Sequence, residues 1–143
     1  MSDLSRFLKK NKVAKENIKI PATRSLTDEN GEPLLWEVKP LTTKDDAAIR
    51  DECTIDVPVT GKPGVYRPKF NGNKYLTKMA AKCIVFPNLN DKELQDSYGV
   101  MGAEQLVIEM IDDPGEYNEF MNKLQEYHGF NQPLQERVEE AKN

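Results

Sequence analysis

The sequence predicts an α+β fold: one domain in which two irregular β-hairpins join a predominantly helical C-terminal half. Three observations predict it. Short apolar runs broken by turn residues occupy 17–39 and 54–70. From residue 73 onward apolar residues recur at the helical period. Between 90 and 129 three helix signatures follow one another, each with start and stop residues. At 143 residues, 31% charged and 38% hydrophobic, the chain suits a single globular domain with a modest core. We place that domain at residues 1–130. Residues 131–143 are expected to form a mobile polar tail, because Pro133 interrupts the pattern and Glu136, Arg137, Glu139, Glu140 and Lys142 offer little to bury.

Residues 2–12 read as a short helix capped by Ser2 or Asp3. Leu4, Phe7 and Leu8 would be its apolar contacts, with Lys9, Lys10 and Lys12 at the negative end of the helix dipole. Residues 17–39 read as a hairpin: Ile18 and Ile20 precede the turn cluster Asp28-Glu29-Asn30-Gly31, and Leu34, Trp36 and Val38 alternate after it. Asn-Gly suits the positive backbone angles of a tight turn. The alternation puts Trp36, the only tryptophan, on the buried face and turns Glu37 and Lys39 to water.

Thr42 or Thr43 can cap the next helix, whose apolar seam is Ala48, Ile49 and Cys53. Its Asp45, Asp46, Asp51 and Glu52 lack the alternating ligands and central Gly of a calcium loop and read as a solvated face. From Thr54 to Phe70, Pro58, Gly61, Pro63, Gly64 and Pro68 punctuate a second hairpin or pair of extended segments. The prolines at 58 and 68 belong on edges or bulges, and this segment is the expected mobile loop.

Asn73 starts a strong helix through Leu76, Met79, Ala80, Cys83 and Ile84, ended by Pro87, and Phe86 to Leu89 form the turn that follows. Asn90 caps a short helix with Glu93 at the capping-box position, and Gly99 ends it. Ala103, Leu106, Val107, Met110 and Ile111 line one face of the next. Asp113-Pro114-Gly115-Glu116 opens the last helix, whose apolar face is Tyr117, Phe120, Met121, Leu124 and Tyr127 and whose end is Gly129.

Function classes narrow by chemistry. No apolar run approaches the roughly 20 residues that span a bilayer, and the N-terminus lacks a signal-peptide pattern, so a cytoplasmic protein without membrane contact is expected. Cys53 and Cys83 have no close-spaced partner and read as reduced core thiols. His128, the sole histidine, stands one residue before a helix-closing Gly, where the helix dipole and capping explain it. Gly61-Lys62-Pro63-Gly64 precedes a strand and contains a proline, unlike a phosphate loop. Tyr66, Arg67, Lys69, Phe70, Lys74 and Tyr75 form one basic and aromatic group on an acidic chain, a weak signal for nucleic acid. We find no nucleophile, acid–base pair or metal set at recognisable spacing, so the sequence points to no enzyme and no cofactor.

Charge is unevenly placed: residues 1–82 hold 16 Lys and Arg against 11 Asp and Glu, and residues 83–143 hold 4 against 13. One reading is that the helices merely solvate themselves with acids. The other is an electropositive and an electronegative end, suited to a basic partner or to head-to-tail self-association.

Four motifs in order carry a resemblance. They are Trp36-Glu37-Val38-Lys39-Pro40-Leu41-Thr42, Cys83-Ile84-Val85-Phe86-Pro87-Asn88-Leu89, the run from Leu94 through Ser97-Tyr98-Gly99-Val100-Met101-Gly102, and Pro114-Gly115-Glu116-Tyr117. Together they resemble the XkdN-like tail assembly chaperones of phages and prophages of Gram-positive bacteria. The resemblance implies a protein without catalytic residues that holds the tape measure protein, and other tail proteins with it, in the infected or lysogenic cell while the tail tube polymerises. It also implies absence from the finished virion. A structural tail or head–tail connector protein, retained in the particle, is the alternative. For the partner contact we expect Phe86, Leu89, Tyr98, Val100 and Met101, apolar residues gathered at turns, with Asp91, Glu93 and Asp96 as an acidic rim that would steer a basic client helix. The competing reading is that Phe86, Leu89 and Tyr98 pin helices together.

Overall fold

Alternation along two short runs builds the sheet that anchors the fold. In the computed structural model, which describes residues 3–130, β1 (Ile18–Pro21) pairs antiparallel with β2 (Leu35–Val38). The register sets Ile18 against Val38, Lys19 against Glu37, Ile20 against Trp36 and Pro21 against Leu35. Residues paired in register share a face. Ile18, Ile20, Trp36 and Val38 therefore turn inward, with Trp36 and Val38 buried, whereas Lys19, Pro21, Leu35 and Glu37 form the outer face. In the connecting turn the Asp28 carboxylate accepts the N–H groups of Asn30 (2.8 Å) and Glu32 (3.0 Å), and only Gly31 takes a positive φ, +79°. Asn30 does not, so an Asp28-centred loop replaces the positive-angle Asn-Gly pair expected there.

The third strand, β5 (Ile84–Phe86), lies where the sequence pattern continues a helix. The preceding helix, α2 (Gly72–Cys83), is capped by Asn71, whose side chain accepts the Lys74 N–H at 3.1 Å, and it does not start at Asn73. Nor does it run on to Pro87. The Cys83 carbonyl accepts the Lys39 N–H at 2.8 Å and Ile84 then pairs with Val38, so sheet hydrogen bonds replace helical ones. Phe86 pairs with Glu37, leaving Val85 as the extra residue of a bulge. The sheet order is β1-β2-β5.

Helices cover the inner face. In α5 (Pro114–His128) the Asp113 carboxylate accepts the Glu116 N–H at 2.9 Å, Pro114 opens the first turn and Gly129 closes the last at φ +75°, as the sequence predicts. Its buried Phe120 meets the Trp36 ring edge-on at 5.8 Å. Glu116 ties the same end of α5 to the chain after β1, accepting from Thr23 Oγ1 and the Arg24 N–H, each at 2.8 Å. α4 (Ala103–Met110) adds Leu106, Val107 and Met110 to the core, with Ile111 just beyond it. In α1 (Thr43–Glu52), capped by Thr42, Ile49 and the following Cys53 are buried but Ala48 is exposed. The expected three-residue seam is narrower because α1 packs mainly on α2, which covers Ile49 and leaves Ala48 facing outward.

The second hairpin stands apart. β3 (Thr54–Pro58) and β4 (Tyr66–Phe70) form their own two-stranded sheet, continuously paired from Thr54–Phe70 to Pro58–Tyr66 and thus more regular than expected. Every residue of β4 is exposed.

The N-terminal segment also departs from expectation. Instead of a packed helix over 2–12 there are two 3-10 turns, Asp3–Phe7 and Lys9–Asn11, that bury nothing, and Leu4, Phe7 and Leu8 are exposed. So short a segment does not hold an α-helix without a packing partner. The α+β class stands. The polar tail expected at 131–143 lies outside the described residues.

Candidate protein-docking site

The segment after β5 is fixed by a succession of local hydrogen bonds. Asn88 Oδ1 accepts the Asn90 N–H at 3.0 Å, which delays helix entry by one residue. Asp91, not Asn90, is therefore the cap of α3 (Lys92–Ser97), accepting the Leu94 N–H at 2.9 Å, and Glu93 does not occupy a capping-box position. Gln95 donates its side-chain amide to the Leu89 carbonyl at 2.8 Å. Gly99, at φ +67°, ends the helix, and the Val100 N–H returns to the Gln95 carbonyl.

These bonds sort the five expected contact residues. Phe86 is 66% exposed and Met101 95% exposed, whereas Tyr98 and Val100 are half-buried against the core. Leu89 is only 3% exposed. It is a core plug beneath α3, since the chain reversal at Asn88 turns its side chain inward, and it presents no surface to a partner. Beside Phe86 a shallow groove is lined by Pro87, Asn88, Asp91, Glu93, Leu94 and Ser97. Tyr98, Val100 and Met101 do not line it. The sequence reading missed Leu94 and Pro87, and the signal for them was the consecutive apolar run Ile84, Val85 and Phe86 stopped by Pro87, which marks a short strand that ends beside α3. Lys92 is held by Asp96 at 2.9 Å, but Asp91 and Glu93 have no ion pair among the described residues.

Two other constellations were candidates. His128 Nε2 accepts the Leu41 N–H at 2.9 Å, its Nδ1 donates to the Leu124 carbonyl at 2.7 Å, and Cys83 Sγ lies 3.8 Å away. Burial lowers the imidazole pKa, and nearby Lys15 lowers it further, against the raising effects of the Leu124 hydrogen bond and Asp46. A neutral ring bridging α5 to the chain before α1 replaces the dipole-stabilised cation expected from position alone. Burial also pushes the Cys83 thiol up to about 12, so the pair is not a thiolate–imidazolium nucleophile. Cys53 and Cys83 are both buried and free.

The basic and aromatic group is split. Tyr75 is buried and hydrogen-bonded to Asp46, and Phe70 packs on its ring at 5.7 Å. On β4, Arg67 and Lys69 alternate with Tyr66, Pro68 and Phe70 and point to the opposite face. The six residues therefore form no common stacking platform. Among the described residues no group of His, Cys, Asp and Glu could hold a metal ion, and no helix is long and apolar enough to cross a membrane.

Comparison with known proteins adds an independent line. Residues 4–142 match the family described as phage XkdN-like tail assembly chaperone protein. The chain is 27% identical over 141 residues to the phage-like element PBSX protein XkdN of Bacillus subtilis, covering 99% of this chain and 94% of the relative. It is 26% identical to the protein YqbN of the same organism, covering 99% and 93%. The crystal structure of the protein YqbN superposes with a TM-score of 0.71 at 21% identity, over 90% of this chain and 98% of that one, a likeness of fold.

Proposed function

This chain belongs to the phage XkdN-like tail assembly chaperone family, and from that premise we propose that it binds the tape measure protein during tail assembly, through non-covalent contact and without catalysis. The observation that carries the reading is the exposed Phe86 beside a groove whose apolar wall, Pro87 and Leu94, is rimmed by Asp91 and Glu93, which have no ion pair among the described residues. A holdase needs accessible apolar surface that releases its client, and a shallow, mainly apolar groove with a polar rim meets that need better than a deep pocket. Tyr98, Val100 and exposed Met101 extend the surface past the end of α3, where an unbranched methionine adapts to varied contours. Contacts with other tail proteins and self-association fit the same surface. Action in the bacterial cytoplasm and absence from the mature virion complete the reading.

Co-expression with the tape measure protein of the same phage or prophage tests it. A tagged chain should retain that protein on an affinity column, and mass spectrometry of purified particles should find none of the chain. Failure to retain the tape measure protein, or stoichiometric presence in particles, would replace a chaperone by a structural tail component.

A further inference from the structure

We infer that the groove is one half of a larger docking surface, completed by the outer face of the β1-β2-β5 sheet, which the described residues leave uncovered, and that its occupant is a lysine- or arginine-bearing amphipathic helix. This inference rests on the chaperone reading and specifies the chemistry of the client.

The register makes the surface continuous. Pro21 pairs with Leu35 and Glu37 with Phe86, so these four side chains share the face opposite buried Trp36 and Val38. Leu35 is 55% exposed and Val85, the bulge residue, 42%. Phe86 belongs to both halves, standing at the end of the sheet face and at the entrance to the α3 groove. A two-layer arrangement that leaves apolar residues of two strands and one helix facing solvent has a place for a third layer.

Dimensions and polarity select the occupant. Three strands about 4.8 Å apart span about 10 Å, the width of one α-helix with its side chains, about 10–12 Å. A strand is the poorer fit: β5 has three residues, carries a bulge and is followed by Pro87, which has no N–H to donate to a ladder. Around the apolar strip lie Glu37, Asp91, Glu93 and Asp96 against Lys19 and Lys92, and Lys92 is already held by Asp96. The excess of carboxylates, three of them without ion pairs among the described residues, calls for a partner with cations flanking an apolar stripe.

The test uses the full chain and a fluorescein-labelled leucine–lysine amphipathic helix of about 20 residues, with a leucine–glutamate twin as control. Anisotropy should show binding of the lysine peptide and not of the twin. Leu35→Ser and Phe86→Ser should each weaken it by about tenfold or more, Glu93→Gln should weaken it less and flatten its salt dependence, and Ile55→Ser on the other hairpin should change nothing. Thermal melts of all variants keep unfolding from mimicking lost binding. If Leu35→Ser binds as wild type while Phe86→Ser does not, the site ends at the groove and the sheet face is not part of it. Equal binding of the twin, or a concentration-dependent self-association lost in both serine variants without peptide binding, overturns the cationic helix as occupant. Retention of the tape measure protein by wild type and both serine variants alike removes this surface while leaving the chaperone reading intact. Failure of wild type to retain it at all removes that reading itself.

Discussion

The β1–β2 hairpin and the β3–β4 hairpin are both short antiparallel pairs with apolar residues at alternate positions. Yet the first buries Trp36 and Val38 in the core, Trp36 against Phe120 of α5, and gains β5 as a third strand, whereas β4 is exposed at all five residues. An isolated two-stranded pair is marginal in water. The difference shows where this chain places its limited apolar content: one face of one sheet, meeting α5 through Trp36 and Phe120 within a core shared by the helices, fixes the fold. On the opposite face of the same strands Leu35 and Phe86 are exposed among the described residues, so they contribute little to folding, and it is this face that we propose for a partner.

The comparison breaks first at Trp36. Trp36→Ala removes a fully buried indole and its edge-on contact with Phe120, and should cost about 3–5 kcal/mol in urea unfolding. A wild-type midpoint in that variant would mean that the sheet is not the anchor. Next in size is Glu116→Ala, which leaves the buried Thr23 hydroxyl and the Arg24 N–H without their carboxylate partner and should cost about 1–3 kcal/mol. Restoration by Glu116→Gln of part of that loss would show that the clamp works through hydrogen bonds.

A pH titration sharpens the picture of how α5 is held. The folded imidazole of His128 has its pKa lowered below the ordinary 6.5, first by burial, so the unfolded chain takes up a proton before the folded one does. Stability should be fully present above pH 6.5 and lost as pH falls through the lowered folded value. His128→Asn should abolish this slope in melts across that window, and an unchanged slope would assign it to carboxylates. The smallest effect belongs to the other hairpin. Ile55→Ser, at an exposed position of β3, should shift stability by no more than about 0.5 kcal/mol, and a loss comparable to that of Trp36→Ala would erase the distinction between the two pairs.

What the sequence discloses follows the range of the forces involved. The α5 signals, Asp113, Pro114 and Gly129, are local and fall where the pattern puts them, as does inward Trp36. β5 was hidden because Ile84 continues the helical period of Leu76, Met79, Ala80 and Cys83, while the strand exists only through pairing with distant Val38 and Glu37. Phe86 was legible as a surface residue beside acids. Leu89 was not separable from it, since burial of a turn residue depends on the Asn88 reversal and on what lies beneath, and the outer sheet face required the register.

Hydrogen–deuterium exchange of the chain alone and with its tape measure protein tests the division of labour most directly. The account predicts slowed exchange on binding in peptides covering residues 84–101, with no change across residues 54–70. Protection confined to 54–70, with 84–101 unaltered, would contradict it and move the client to the exposed hairpin.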